Sequence, residues 1–509
     1  MNGKVYLVGA GPGDYKLLTI KGLEAIKASD VIIYDRLINN KLLKYAKDNC
    51  ELIYVGKESS NHTLSQENIN KLIADKAVEG KVVARLKGGD PYVFGRGGEE
   101  GEYLYNNGVD FEVVPGITSA IGGLCYAGIP ITHRGISTSF HVITGHLMED
   151  SEELDWKAIA SLKGTLVFLM GMSNLQKIVH NLLCNGMSSS TPVAIINYAT
   201  LPKQKVLTAT LEDVYQRVIS ENIKSPSLIV VGEVVGLRET LNFFEEKTLF
   251  GKNIVVTRSR TQNSSLVDEI NNLGGNAIEI PTIKINKIAS NKRLKDAIDN
   301  IEKYNYILLT SVNGVDIFLN TLFDMGYDSR RLAHCKIVSI GPATSEELKK
   351  WGIRADFTPE KYVAEYIYDM LKDEIKSTDN ILVPRAKEAR KYLVDSLKEI
   401  CSVDEIQIYC TDIENTDIEL ENLIDSDEVD YITFTSSSTV KNLLAILGSK
   451  NIEKLKKVKL ISIGPVTSKT IKSYGLEVYK EAEVYTINGI LDCIIDDIRS
   501  GANANDKKA

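Results

Sequence analysis

The segment RLKGGDPYVFGRGGEE, residues 85–100, carries the strongest structural signal in the first half of the chain. Its first two residues end the β-branched run 82–86, so its glycines and Asp90 come where a strand is expected to end. In an open α/β sheet the carboxyl ends of the strands border the crevice in which ligands bind. We therefore expect this segment to line a ligand site at the edge of a sheet.

Other apolar runs in this half end in similar polar or glycine-rich turns. These turns are residues 9–14 (GAGPGD), 34–37 (YDRL), 55–57 (VGK) and 115–120 (PGITSA). One glycine turn is ordinary, whereas several that deliver glycines, carboxylates or hydroxyls to one sheet edge favour a binding crevice. Short β-branched runs alternate with amphipathic stretches over residues 5–236, which predicts repeated β-α units with a break between two lobes near Gly116.

Taken alone, the turn 9–14 leaves two interpretations open. Its glycines let backbone N–H groups approach a ligand, and Asp30 and Asp35 lie near the spacing of a ribose-binding acid in a nicotinamide-dependent reductase. The pattern departs from GxGxxG, because Pro12 stiffens the turn and the third glycine comes one residue early. A tight turn that binds nothing is the alternative.

Composition narrows the class of protein. A chain of 509 residues with 43% hydrophobic and 25% charged residues predicts several globular units. The net charge of −8 argues against a nucleic-acid or anionic-membrane binder. Seven scattered cysteines without a CxxC pair predict reduced thiols in the cytoplasm, and no signal peptide, membrane span or metal-ligand spacing is found.

The second half contains an internal repeat. Its strand-turn-helix units recur in the same order, as 306–319 with 335–353 and as 431–444 with 458–476. This symmetry predicts two similar α/β lobes. The strand-like segments 280–285 (IPTIKI) and 406–413 (IQIYCTDI) are expected to carry the chain twice across the lobe boundary.

The repeated Thr-Ser and Ser-Ile-Gly-Pro-x-Thr-Ser turns are expected to follow strands and begin helices. Hydroxyls at a helix N-terminus, with free N–H groups and the helix dipole, can hold a carboxylate without a formal charge. The candidate carboxylate-binding residues are Thr310, Ser311, Thr344, Thr435, Ser436, Ser437 and Thr467, with Arg258 and Lys387 as secondary candidates. Simple helix capping is the alternative for each hydroxyl.

In chain order, the strings VYLVGAGPGD, VIIYDRL, YVGK, RLKGGDPYVFGRGGEE, VPGITSA, YAGIPITHRG, TGH, LMG and PSLIVVGEVV make residues 3–240 resemble uroporphyrinogen-III C-methyltransferases. The resemblance implies the α/β, two-lobed tetrapyrrole methylase fold of the class III methyltransferases, which is unrelated to the Rossmann type. It also implies that S-adenosyl-L-methionine binds between the lobes, that uroporphyrinogen III is the substrate, and that the protein is a homodimer through this half.

The resemblance also implies site residues. Cofactor contacts fall on Pro12, Gly88, Gly89, Asp90, Val93, Thr118, Ser119, Met170 and Ala199, the last standing where relatives often have glycine. Asp35 matches a general base and Lys57 an acid, while Arg96 and Arg134 match substrate-binding positions. Methyl transfer needs mainly alignment, and a carboxylate can shield the developing charge or take a proton. A capped turn for Asp35 and a solvated surface lysine for Lys57 are the alternatives.

Residues 250–500 resemble uroporphyrinogen-III synthases through IVVTR (254–258), LLTSVNGV (308–315), SIGPAT, TFTSSSTV (433–440) and SIGPVTS. This resemblance implies a two-lobed α/β fold that closes hydroxymethylbilane, with loss of water and inversion of the last ring. Tyr409 matches a tyrosine suspected of assisting the leaving hydroxyl. A hinge aromatic is the alternative for Tyr409.

The sequence thus predicts a bifunctional enzyme that makes uroporphyrinogen III and methylates it twice to precorrin-2, for siroheme or cobalamin synthesis. The alternative joins the methyltransferase to a tetrapyrrole-binding module without catalysis. The expected parts are methyltransferase lobes 1–115 and 116–240, a connector 241–252, synthase lobe 1 (253–284 plus 411–501), synthase lobe 2 (285–410) and a disordered tail 502–509.

Overall fold

The computed structural model describes residues 3–56, 65–145, 154–257, 264–280, 282, 284–359, 364–412 and 420–506. Two of the predicted site residues, Lys57 and Arg258, lie outside these ranges. The chain divides into two compact units, residues 1–252 with 270–276 and residues 253–269 with 277–509. Within the described ranges, no helix is both long enough and apolar enough to span a bilayer.

The first sheet of the first unit is parallel throughout. Its strands are β1 (Lys4–Gly9), β2 (Val31–Tyr34), β3 (Glu51–Tyr54), β4 (Val83–Lys87) and β5 (Asp110–Val114), in the order β3-β2-β4-β1-β5. The helices α1 (Ile20–Ala28), α2 (Gln66–Val78) and α3 (Gly97–Asn106) connect them. Because the strands are parallel, all five turns that follow them lie at one edge of the sheet, as the sequence predicted.

The second sheet of this unit is mixed. Its strands are β6 (Phe140–Thr144), β7 (Thr165–Leu169), β8 (Pro192–Asn197), β9 (Lys205–Thr210) and β10 (Ser227–Val231), in the order β6-β7-β10-β8-β9. Its helices are α4 (Ser119–Tyr126), α5 (Trp156–Ser161), α6 (Leu175–Cys184), α7 (Val214–Ser220) and α8 (Arg238–Leu241). Only β6 and β7 pair in parallel. The predicted alternation of strands and helices holds here except at one connection, where the short link 198–204 joins β8 directly to β9, since antiparallel neighbours need no crossover helix.

The second unit also contains two five-stranded sheets in its described part. Its strands are β11 (Asn253–Val256), β12 (Asn276–Glu279), β13 (Lys284–Lys287), β14 (Tyr306–Leu309), β15 (Lys336–Ser339), β16 (Asn380–Ala386), β17 (Ser402–Asp412), β18 (Tyr431–Phe434), β19 (Lys459–Ser462) and β20 (Lys480–Glu481). The strand orders are β12-β11-β18-β19-β20 and β13-β17-β16-β14-β15, so the chain leaves the first of these sheets after β12 and returns at β18.

The helices of this unit repeat in the same pattern as the strands. They are α9 (Ser264–Asn272), α10 (Lys292–Asp299), α11 (Val312–Asp324), α12 (Pro342–Lys350), α13 (Ala364–Leu371), α14 (Tyr392–Lys398), α15 (Leu420–Asp425), α16 (Ser437–Leu447), α17 (Pro465–Ser473) and α18 (Ile487–Asp506). The order β14-α11-β15-α12 recurs as β18-α16-β19-α17, which is the repeat seen in the sequence. Helix α18 includes residues 502–506, where a disordered tail was expected.

Candidate active sites

Three glycine turns of the first sheet meet backbone to backbone. The Gly11 N–H donates to the Gly89 carbonyl at 3.2 Å, and the Gly89 N–H donates to the Gly11 carbonyl at 2.8 Å. Gly116 lies against both Gly9 and Gly89, so that a Cβ at position 116 would overlap the Gly89 carbonyl oxygen. Glycine is required here because the main chains after β1, β4 and β5 approach too closely for any side chain.

The Asp90 carboxylate joins two of these turns. Its Oδ2 accepts a hydrogen bond from the Gly116 N–H at 2.9 Å, and its Oδ1 accepts one from the Tyr92 N–H at 2.8 Å. Asp90 therefore shapes the turn after β4 and fixes it to the turn after β5. Any contact with a cofactor would add to this role.

Other predicted cofactor residues border the same turns. Thr118 caps α4, since its Oγ1 accepts from the Ala120 N–H at 3.4 Å, and Ser119 begins that helix. Pro12 also packs on α4, where a Cβ at Gly122 would lie 3.0 Å from the Pro12 Cγ. The structure thus places Pro12, Gly89, Asp90 and the N-terminus of α4 together.

The remaining predicted cofactor residues follow strands or pack on the second sheet. Met170 comes directly after β7 and is 53% exposed. Ala199 follows β8, and its methyl group is buried beside α4, so that only its backbone can face a ligand. Val93 packs against the core of this sheet. Gly88 lies in the first sheet's turn, where a Cβ would meet the Leu37 side chain at 2.8 Å.

Backbone strain concentrates in these turns. Non-glycine residues with positive φ include Phe94 (54°), Arg96 (59°), Met170 (56°), Tyr198 (47°) and Thr200 (69°). A left-handed conformation is especially unfavourable for a β-branched residue such as Thr200. Such strain persists only where the surroundings hold it, and it is typical of ligand sites.

Asp35 follows β2, next to β4 in the sheet. Its Oδ1 accepts from the Leu37 N–H at 3.0 Å, which is the capped turn considered from the sequence. Its Oδ2 accepts from the Arg85 Nη2 at 3.1 Å. Since 26% of the Asp35 side chain is exposed, the carboxylate is both held in place and accessible.

Beneath Asp35 lies a buried ionic cluster that the sequence analysis did not identify. The fully buried Glu100 accepts through Oε1 from Lys87 Nζ at 2.8 Å and from Arg85 Nε at 3.3 Å. Burial and the Arg85 charge lower the pKa of Lys87, while Glu100 opposes that shift. The sequence feature that could have indicated this cluster is the presence of two cations, Arg85 and Lys87, in the otherwise apolar strand β4.

The two predicted substrate-binding arginines are exposed. Arg96 precedes α3 and donates to the Glu99 carboxylate from Nε at 2.8 Å and from Nη2 at 2.6 Å. Arg134 lies in the turn closed by the bridge between His133 and Ser137. Both guanidinium groups are free to reach an acidic ligand in solvent, although Arg96 must exchange its bond with Glu99.

In the second unit, the structure brings Tyr409 and Ser311 together. The Tyr409 hydroxyl and the Ser311 Oγ are 2.9 Å apart, and Ser311 also caps α11 by accepting from the Gly314 N–H at 2.9 Å. Tyr409 is only 6% exposed. Burial raises the pKa of Tyr409, and hydrogen bonds with Ser311 and Asn313 oppose this shift.

A β-bulge sets the direction of the Tyr409 side chain. Along β16 and β17, Arg385 pairs with Gln407 but the next residue, Ala386, pairs with Tyr409, so Ile408 is the extra residue. As a result Ile408 and Tyr409 lie in the same core cluster, although adjacent strand residues normally face opposite ways.

The other predicted hydroxyls divide into caps and buried groups. Ser436 caps α16, accepting from the Thr439 N–H at 3.3 Å, and Ser437 donates to the Val466 carbonyl at 3.2 Å. Thr344 and Thr467 are buried in the first turns of α12 and α17. Thr310 and Thr435 are half-buried where β14 and β18 end, and the Lys387 N–H donates to the Tyr409 carbonyl at 2.9 Å.

Serine pairs within the repeat escaped the sequence analysis. Ser339 Oγ lies 2.6 Å from Ser345 Oγ, and Ser462 Oγ lies 2.6 Å from Ser468 Oγ. Each pair joins the first and last serines of a Ser-Ile-Gly-Pro-x-Thr-Ser turn. In each turn these hydroxyls hold the end of the strand to the first turn of the helix. The recurrence of both serines in the two copies of the motif could have indicated these pairs from the sequence.

Two family profiles match the chain. The profile described as tetrapyrrole (corrin/porphyrin) methylases matches residues 4–215, and the profile described as uroporphyrinogen-III synthase HemD matches residues 264–492. A Ruminiclostridium josui protein, called porphyrin biosynthesis protein HemD, is 40% identical over 498 residues, which are 97% of this chain and 98% of that protein.

The first half also matches single-function proteins. The uroporphyrinogen-III C-methyltransferase of Methanocaldococcus jannaschii is 53% identical over 241 residues, which are 47% of this chain and 100% of that protein. A solved structure of the Thermus thermophilus uroporphyrin-III C-methyltransferase complexed with S-adenosyl homocysteine is 39% identical. The match covers 46% of this chain and 93% of the Thermus thermophilus chain, with a TM-score of 0.40.

Proposed function

Because the chain belongs to the uroporphyrinogen-III C-methyltransferases over its first half and to the uroporphyrinogen-III synthases over its second, we propose that it performs two consecutive reactions on one tetrapyrrole. The second half closes hydroxymethylbilane to uroporphyrinogen III. The first half methylates that product twice, giving precorrin-2 for siroheme or cobalamin synthesis. With both enzymes in one polypeptide, the chain is a bifunctional enzyme of tetrapyrrole biosynthesis.

The methyl donor is S-adenosyl-L-methionine. The turns after β1, β4 and β5 fit such a group, because they meet as bare glycine backbone, with no side chain between the main chain and a ligand at this sheet edge. The residues that would hold it are Pro12, Gly88, Gly89, Asp90, Val93, Thr118, Ser119, Met170 and Ala199. When bound, it supplies an electrophilic methyl group for in-line displacement.

Asp35 is the base of the methyltransferase half. When the attacking pyrrole carbon accepts the methyl group, its ring gains positive charge, and the ring then loses a proton from its N–H or from a neighbouring bridging CH2. The Asp35 carboxylate, held by Arg85 and the Leu37 N–H, stabilises that charge and takes the proton. Arg96 and Arg134 bind substrate carboxylates, and Lys57 serves as the acid.

In the synthase half, Tyr409 assists loss of the terminal hydroxyl of hydroxymethylbilane. As the C–O bond breaks, the Tyr409 phenol passes its proton to the departing oxygen, which leaves as water, and the phenolate recovers a proton when the carbon that closes the ring loses its own. The carbocation left behind needs orientation and exclusion of solvent more than a nucleophile. The residues proposed to hold the substrate carboxylates at helix N-termini are Thr310, Ser311, Thr344, Thr435, Ser436, Ser437 and Thr467. Arg258 and Lys387 are secondary candidates for the same carboxylates.

The assembly we propose is a homodimer formed through the methyltransferase half, working in the cytoplasm. The scattered cysteines without a CxxC pair suit that compartment. Light scattering of the purified chain at several concentrations tests the dimer. A mass of one chain at every concentration contradicts it.

The observation that carries the methyltransferase proposal is the meeting of three glycine turns on the same sheet edge as the Asp35 carboxylate. The test is product analysis of the full chain given hydroxymethylbilane, with and without S-adenosylmethionine. We expect uroporphyrinogen III without the donor and a product with two added methyl groups with it. Mass spectra without methyl addition reject methylation by the first half. Formation of only the ring isomer without inversion rejects catalysis of ring closure by the second half, and leaves that half as a binding module.

A further inference from the structure

A chain of hydrogen bonds runs from the connector 241–252 to the first glycine turn. In the connector, Glu245 accepts from Arg238 Nη2 at 2.6 Å and, through Oε1, from Gln204 Nε2 at 2.8 Å. The Oε1 of Gln204 accepts from the Thr200 N–H at 2.8 Å. Finally, Thr200 Oγ1 accepts from the Asp14 N–H at 2.9 Å.

The inner members of this chain are buried and one is strained. Gln204 is 3% exposed and Thr200 is 1% exposed. Thr200 has a φ of +69°, so the bond from its N–H to Gln204 helps to hold an unfavourable backbone conformation. The Thr200 Oγ1 lies so close to Gly13 that a Cβ there would be 2.8 Å away.

A second route joins the connector to the same turn. The ring of Phe244 packs on Tyr126, with centroids 4.7 Å apart. The Tyr126 hydroxyl donates to Asp14 Oδ2 at 2.9 Å. The Asp14 N–H is therefore linked through hydrogen bonds to Glu245, and the Asp14 carboxylate is linked through Tyr126 to Phe244.

We propose that Glu245 is a positioning residue for the methyltransferase, which acts through Gln204 and Thr200 to hold the turn 9–14 in its ligand-binding conformation. The connector between the two enzymes thereby contributes a positioning residue to the methyltransferase. This inference rests on the proposed binding of S-adenosylmethionine beside that turn. Loss of Glu245 loosens the turn and weakens cofactor binding without removing any group that touches the reacting atoms.

The test compares Glu245→Gln with Glu246→Gln in the full chain. The two substitutions remove the same charge from adjacent positions, but Glu246 is exposed. Glutamine at position 245 offers one acceptor oxygen to two donors, so one charge-assisted bond is lost. We expect the affinity for S-adenosylhomocysteine, measured by calorimetry, to fall about tenfold in Glu245→Gln and to stay unchanged in Glu246→Gln.

Kinetics separate positioning from a general loss of folded protein. In Glu245→Gln the KM for S-adenosylmethionine should rise while kcat for methylation, and cyclisation by the second half, are retained. A lower binding stoichiometry at unchanged affinity marks partial unfolding and overturns the inference. So does an affinity equal to that of the wild type, or an equal loss in Glu246→Gln. If the wild-type chain itself binds no S-adenosylhomocysteine, the proposed methyltransferase function fails, and the inference fails with it.

Discussion

Arg85 and Asp35 meet across 3.1 Å, from Nη2 to Oδ2, between the neighbouring strand β4 and the turn after β2. The guanidinium of Arg85 is fixed from behind, because Nη1 donates to the Leu86 carbonyl at 2.8 Å and Nε to Glu100 at 3.3 Å. A buried cation thus orients a carboxylate that solvent can still reach. This arrangement suits a base that must meet a carbon acid at the sheet edge.

Replacing Asp35 with alanine should lower the rate of methyl transfer by about 100-fold, since a positioned base contributes about that much or more. Cyclisation by the second unit should be unchanged. Both rates are measured on the full chain, with uroporphyrinogen III as substrate for methylation and hydroxymethylbilane for cyclisation. Asp75→Ala is the matched control, because Asp75 is exposed on α2 of the same lobe. Methylation at the wild-type rate by Asp35→Ala removes the residue from the mechanism.

Much of this sheet edge could be predicted from residue order alone. The β-branched run 31–34 forms the buried strand β2, and the run 140–144 forms the edge strand β6, because such residues favour an extended backbone. Once the first sheet is parallel, its glycine turns must lie on one edge. The local pattern therefore indicates which turns share that edge, although it does not give the strand order.

The contacts within the site could not be predicted in the same way. Glu99 and Glu100 are adjacent and chemically identical, yet Glu99 is exposed with Arg96 and Glu100 is buried with Arg85, since one helical step turns the side chain by about 100°. The direction of Tyr409 depends on a bulge, which strand alternation does not reveal. Such features depend on packing between distant parts of the chain.

Glu100→Gln should destabilise the first unit by about 3 kcal/mol, because it leaves Arg85 and Lys87 buried without their shared counter-charge. The lowered pKa of Lys87 should fall further, since the Glu100 charge is one of the groups that raise it. Calorimetric unfolding measures the change in stability. Glu102→Gln, an exposed substitution on the same helix, is the control and should unfold like the wild type. Equal stability of the two variants would show that the cluster is solvated.

Gly116→Ala should abolish binding of S-adenosylhomocysteine. The new methyl group would overlap the Gly89 carbonyl and the Gly9 Cα, so the turns after β1, β4 and β5 must separate. Binding is measured by calorimetry at a temperature where both variants are folded. The control Gly236→Ala places a methyl group in open space within the same unit and should bind like the wild type. Wild-type affinity in Gly116→Ala contradicts a ligand site built on these turns.

Tyr409→Phe should slow cyclisation by about tenfold or more, because it removes the hydroxyl that meets Ser311 at 2.9 Å and keeps the buried ring. Burial raises the pKa of Tyr409, so the phenol stays protonated and the wild-type rate should show no loss from tyrosine ionisation up to about pH 10. Rates of uroporphyrinogen III formation across pH measure both effects. Tyr392→Phe, at an exposed tyrosine on α14, is the control. Cyclisation by Tyr409→Phe at the wild-type rate would show that Tyr409 contributes only the packing of its ring.

Asp497→Asn should weaken the second unit in a pH-dependent way. Asp497, on α18, accepts from Tyr431 OH at 2.7 Å, from Lys459 Nζ at 2.5 Å and from Tyr479 OH at 2.5 Å. Burial alone would raise the pKa of Asp497, but these bonds outweigh it and lower the pKa to about 2. Because the folded pKa lies below the unfolded value of about 3.9, the group stabilises the fold above about pH 4, by about 2 kcal/mol.

That stabilisation is lost as the pH falls through about 2, when the folded carboxylate takes up its proton. Denaturant unfolding of wild type and Asp497→Asn should therefore differ at pH 7 and converge between about pH 4 and pH 2. The exposed Asp492→Asn on the same helix should follow the wild type throughout. The stability difference between wild type and Asp497→Asn could instead stay constant down to the lowest pH. That result would contradict the prediction, because it would mean that the shape of the side chain, and not its charge, holds α18 to β18 and β19.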